Sequence, residues 1–118
     1  MTYEEALEIV KSEFKTIKDA AHCHIIITGL TYDGCNGFCV CLYNTGEKTI
    51  LSDMGETNAF FDEVEDEEWE KLCAENGVEF NHWRMEKDFE KIDDVYDFIS
   101  FLDMVSDKYF YLGDDEED

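Results

Sequence analysis

From Tyr3 to about Ala21 the apolar residues Leu7, Val10, Phe14, Ile17 and Ala21 recur at steps of three and four, the spacing of one face of an α-helix. Thr2 followed by Glu5 has the spacing of a capping box at its start. The period then changes. In His22 to Thr31 the β-branched Ile25, Ile26, Ile27 and Thr28 predict a strand, Asp33-Gly34 a turn, and Phe38 to Tyr43 a second strand. Thr45-Gly46 marks another turn, and Lys48 to Ser52 a third strand. After Gly55 the helical period returns. Glu65 to Asn76 reads as a helix that buries Trp69, Leu72 and Cys73 and ends at Gly77. Val78 to Met85 fits a short fourth strand or an extended crossing segment. From Ile92 onward Val95, Phe98, Ile99, Leu102, Val105 and Tyr109 predict a long last helix.

The expected fold class is therefore α+β: an N-terminal helix, a three-stranded antiparallel meander with room for a short fourth strand, and two acidic C-terminal helices. A chain of 118 residues fits one domain, placed at 1–112, followed by an acidic tail at 113–118. The apolar fraction of 44% and aromatic fraction of 14% support a packed core despite a net charge of −22. No apolar run approaches the roughly 18–20 residues of a membrane span, and the start MTYEEALEIV lacks the basic and apolar regions of an export signal. A cytoplasmic location follows as the expectation. An odd number of cysteines, Cys23, Cys35, Cys39, Cys41 and Cys73, in such a chain predicts free thiols.

Charge changes the picture most. Residues 1–55 hold eight acidic and four basic side chains, a net of −4, whereas residues 56–118 hold 23 acidic and five basic, a net of −18. Binding to nucleic acid phosphates or to an anionic membrane is disfavoured, since both depend on cationic side chains. A basic protein surface is the partner such a field attracts.

Between the sheet and the acidic half stands LSDMGET, residues 51–57. Gly55 can supply a positive φ, and Asp53 can accept hydrogen bonds from amides of the turn or the following helix. Asp53, Gly55 and Thr57 are thus expected to organise the turn. The set Leu51, Ser52, Asp53, Gly55 and Thr57 resembles the L-[ST]-D-x-G-x-T turn of a small bacterial and phage domain of unknown function, with the likeness extending over about residues 35–110. Met54 replaces that family's usual second acidic residue. The resemblance implies an α+β fold and a prokaryotic or phage setting, and no activity.

Two kinds of chemistry can be read from the residues. A catalytic Asp53 would need a neighbouring carboxylate and a base or metal. His22, His24, Cys39 and Cys41 could form a tetrahedral zinc set if the first two strands paired with these residues on one face, although paired C-x-x-C knuckles are absent. The acidic residues offer the other reading. Glu67, Glu68 and Glu70 on one helix and Asp93, Asp94 and Asp97 on the next could approximate a row of phosphates.

The function expected on this basis is non-enzymatic and without a cofactor. The chain would dock on a basic surface of a nucleic-acid-binding protein as a DNA mimic, for example as a phage-encoded inhibitor of a bacterial defence nuclease such as an anti-CRISPR. Two alternatives follow from other features. One is a small metal-binding protein or metal-dependent enzyme using Asp53 and the His/Cys group. The other is a structural domain that forms a homodimer through exposed aromatics such as Trp83, Phe110 and Tyr111.

Overall fold

In a computed structural model of the protein, residues 1–117 are described, with side chains described through Tyr109. Helix α1 spans Tyr3–Glu13 and opens with the reciprocal capping box of Thr2 and Glu5. It stops short of Ala21 because Phe14 is extended, and Ile17–Asp19 form strand β1, in which Ile17 pairs with Ile26. The β-branched Ile17 suits a strand as well as a helix, and the ladder supplied by the next strand decides it, while Ala21 falls in the bend that follows β1.

That next strand is β2, His24–Thr31, followed by β3, Gly37–Asn44, and β4, Thr49–Ser52. Gly29, at φ +78, lies where the β2–β3 register shifts. After β4 come a short helix α2, Glu56–Phe60, and then α3, Asp66–Glu75, which buries Trp69, Leu72 and Cys73. The stretch expected to be one strand or a crossing segment is a hairpin, β5 (Glu79–Asn81) and β6 (Arg84–Asp88). Helix α4 covers Ile92–Glu117.

The α+β class holds, but among the described residues the sheet has six strands rather than three or four, and the helices number four. Its order is β1-β2-β3-β4-β6-β5, with every neighbouring pair antiparallel. The strand after α3 does not add beside β4. Instead β6 does, and β5 forms the far edge.

Register assigns the faces, because directly paired residues point the same way. Ile26 opposite Val40 and Leu42 opposite Leu51 lie on one face, and with Met85 they share a core with Val10 of α1, Trp69 of α3 and Phe98, Leu102 and Val105 of α4. Ile25, Ile27, Cys39, Cys41 and Tyr43 point to the other face and lie outside that core. Helix α4 is further tied to α1 by the Tyr96 hydroxyl, which donates to Glu13 Oε2 at 3.0 Å. No helix of the described residues is long and apolar enough to cross a membrane.

Burial makes several proton-bearing groups hard to ionise. It pushes the Cys73 thiol up from 9.0 to about 12, with the Asp53 carboxylate adding to the effect, and the Cys41 thiol likewise to about 12. The Tyr3 hydroxyl, partly buried against the sheet, rises from 10.0 to about 12. Folded pKa values above the unfolded ones mean that the unfolded chain loses these protons first. Their contribution is complete below about pH 9 and is lost as pH climbs toward 12. Urea midpoints measured at pH 7, 9, 10 and 11 should fall progressively above pH 9, and Cys73→Ser should flatten the first part of that fall.

Candidate functional site

LSDMGET runs from the end of β4 into α2, and its centre is a tight turn. Glu56 N–H donates to the Asp53 carbonyl at 3.2 Å, while the two central residues, Met54 and Gly55, have φ of +59 and +82. Two left-handed central residues characterise the type I′ turn, where Asn and Gly are the favoured occupants. Gly55 meets that demand. Met54 does not, and an L-residue with an ordinary side chain costs about 1–2 kcal/mol there.

Asp53 holds the turn together. The residue is 2% exposed, and its carboxylate accepts three backbone N–H bonds: Oδ1 from Gly55 at 2.8 Å and from Met85 at 2.9 Å, Oδ2 from Thr57 at 3.1 Å. Its own N–H donates to the Met85 carbonyl at 3.1 Å. Beside it, Ser52 Oγ accepts from Met54 N–H at 3.0 Å. The Thr57 hydroxyl, fully buried, shares a 2.8 Å hydrogen bond with the Tyr32 hydroxyl, whose pKa burial drives well above its ordinary value. Every Asp53 oxygen is thus occupied by an amide of the fold.

Through Met85, Asp53 reaches the β5–β6 hairpin, whose connection is again a two-residue turn with both central residues left-handed: His82 at φ +51 and Trp83 at φ +66. The two turns abut. A Cβ placed on Gly55 would stand 3.5 Å from the Trp83 carbonyl oxygen and 3.9 Å from Arg84 Cγ. All three non-glycine residues with positive φ, among those described, therefore sit in this one corner. Two of them display large apolar side chains to solvent, Met54 at 46% exposure and Trp83 at 58%. A cleft of about 390 Å³ lies alongside, lined by Tyr43, Lys48, Glu79, His82, Arg84 and Glu86, among others. Within it the Tyr43 hydroxyl donates to Glu86 Oε2 at 2.9 Å, and Lys48 pairs with Asp88 at 2.9 Å.

The zinc set expected from the first two strands is not assembled. His24 pairs with Leu42 and so lies on the core face, whereas Cys39 and Cys41 pair with Ile27 and Ile25 on the opposite face. His24 is engaged through Nδ1 with the Tyr3 hydroxyl at 2.7 Å and through Nε2 with Asp19 at 3.1 Å, and His22 is exposed ahead of the strand. Alternation puts Cys39 and Cys41 on one face of β3 as expected, but His22 precedes β2 and is not part of its alternation, and the pairing register that relates the strands is a property of the sheet. Among the described residues no three His, Cys, Asp or Glu side chains gather in a metal-binding arrangement.

The acidic candidates divide as well. Glu67, Glu68 and Glu70 stand exposed on α3, and Asp93 and Asp97 stand exposed on α4. None of these five forms an ion pair among the described residues. Asp94 differs: its Oδ2 accepts the N–H groups of Glu90 and Lys91 at 2.8 and 3.0 Å, fastening the entry to α4. Asp103 and Asp107 are exposed further along the same helix. At 100° per residue Asp93, Asp97, Asp103 and Asp107 fall within an arc of about 120°, opposite Phe98 and Leu102, and span about 21 Å of axis. Trp83 is exposed as expected; the Phe110 and Tyr111 side chains lie outside the described residues.

Sequence reasoning missed His82 and the role of Met54. Neither carries the Asn-Gly signal of a type I′ turn, so the left-handed backbone at Met54, His82 and Trp83 had no local mark. Comparison of the chain with protein-family models, curated proteins and solved structures gave no match.

Two stability changes of opposite sign follow. Asp53→Ala leaves three amides without an acceptor and should lower the unfolding free energy by about 3–5 kcal/mol. His82→Asn combined with Trp83→Gly suits the left-handed turn and should raise it by about 1 kcal/mol. Urea unfolding followed by circular dichroism checks both.

Proposed function

We propose that this chain is a non-enzymatic binding protein whose acidic helical surface docks on a basic surface of a nucleic-acid-binding protein in place of nucleic acid. The observation that carries the reading is the row of four exposed aspartates on α4, accompanied by exposed glutamates on α3 that form no ion pair among the described residues. Each of these side chains is held on a regular element whose other side is buried, so the charges keep fixed spacing. In duplex DNA a strand carries one phosphate per about 3.4 Å of axis, and four carboxylates over about 21 Å sample such a row at intervals.

The cost of this arrangement speaks for a use. Like charges four residues apart, as at Asp93 and Asp97 or Asp103 and Asp107, destabilise a helix by a few tenths of a kcal/mol each. Lysines at i+4 would relieve that repulsion and keep the surface soluble. Instead the chain concentrates a net −18 after residue 55. An inhibitor of a nucleic-acid-targeting enzyme, of prokaryotic or phage setting, is the form of this reading that we propose.

The test is retention of bacterial lysate proteins at 50 mM salt on immobilised wild type and on Glu67→Lys/Asp93→Lys/Asp97→Lys, with elution by salt steps and mass spectrometry. Enrichment of one nucleic-acid-binding protein on wild type, lost by the triple variant while its circular dichroism spectrum is unchanged, is expected. Equal retention of that protein by the triple variant would refute the reading.

A further inference from the structure

We infer that the abutting turns at Met54-Gly55 and His82-Trp83 are the apolar anchor of the docking surface, with Trp83 and Met54 entering an apolar recess on the same cationic partner. The inference rests on the acidic docking reading for its occupant, and on the turn geometry for its location. Where a type I′ turn serves only to reverse the chain, Asn and Gly are its favoured residues. Here methionine, histidine and tryptophan occupy left-handed positions at φ +59, +51 and +66. Met54 and Trp83 expose 46% and 58% of their surface, so packing within the chain gives little return for that strain. Strained backbone concentrated in one corner is characteristic of binding sites.

The corner is also rigid. Asp53 links both turns, accepting from Gly55 on one side and Met85 on the other, and its burial leaves those bonds without competition from water. Tryptophan held on a rigid tight turn loses little entropy when it is buried by a partner, and tryptophan is prominent among residues that dominate binding energy.

Charge chooses the occupant. A second copy of this chain would bring another net −22 against the first, whereas a cationic surface is attracted from a distance. Near the turns Glu56 and Glu79 are exposed, and Arg84, the first residue of β6, is the cation beside them. A recess rimmed by arginine meets both features, since guanidinium groups pair with carboxylates and stack on an indole face.

The experiment uses the full chain and the purified basic protein retained in the lysate assay, with poly-L-lysine as a cation that lacks an apolar recess. Trp69 is fully buried and Trp83 exposed, so acrylamide quenching reports chiefly on Trp83. The basic protein should shift emission to shorter wavelength and reduce quenching at least threefold, and poly-L-lysine should do neither. Met54→Asn/Trp83→Asn, which preserves a tolerated left-handed backbone, should weaken Kd at 150 mM salt at least tenfold through faster dissociation. Its association rate should keep the wild-type salt dependence, whereas Glu67→Lys/Asp93→Lys/Asp97→Lys should slow association. Unchanged Kd for the turn variant and unchanged quenching of wild-type Trp83 when the basic protein is added, with slowed association for the charge variant, would overturn the anchor and leave the acidic reading standing. No retained basic protein would overturn both. A wild-type dimer in light scattering that the turn variant abolishes would overturn the choice of occupant.

Discussion

One buried carboxylate sets the arrangement of the strained corner. Asp53 accepts N–H bonds from its own turn, from the first turn of α2 and from β6, extending the β4–β6 pairing into the turn and the helix that follow it. An ordinary hydrogen bond contributes about 1 kcal/mol net, and one to a charged acceptor about 1.5–3 kcal/mol. Concentrating three at one residue lets a short strand of four residues, β4, end at a defined point and hands the chain to the helical half in one direction. The neighbouring Thr57–Tyr32 bond continues this polar network into the core.

The core then has to overcome the repulsion among the acidic residues. Trp69, Phe98, Leu102 and Val105 are buried against the sheet side of α3 and α4, while Glu67, Glu68 and Glu70 of α3 and Asp93, Asp97, Asp103 and Asp107 of α4 are exposed. Water and counterions screen the outward charges over a Debye length of about 8–10 Å, so their repulsion costs less than the apolar burial on the opposite side contributes. An acidic surface and a well-packed fold are therefore compatible.

The docking proposed above separates long-range attraction from close contact. The exposed carboxylates of α3 and α4 lie along helices at regular spacing, and the exposed Trp83 and Met54 protrude from turns. The corner that supplies the apolar side chains is also the one where backbone preference is least satisfied. Departures from local preference of this kind are expected at functional positions.

By itself the sequence determined the helical stripes of α3 and α4, the central three strands, the capping box at Thr2 and the distribution of charge. All of these depend on residues within one or two turns of each other, where periodicity and capping chemistry act directly. It also marked Asp53, Gly55 and Thr57, because a turn of that composition has a local hydrogen-bonding logic. Tertiary structure decided the remainder. Ile17 became an edge strand because β2 offered a ladder; β6 rather than β5 took the place beside β4; and the register of β2 on β3 sent His24 and Cys39 to opposite faces. The left-handed backbone at Met54, His82 and Trp83 belongs to this second group. No propensity of methionine, histidine or tryptophan favours it, and it exists because Asp53 and the strand pairings on either side outweigh the local cost.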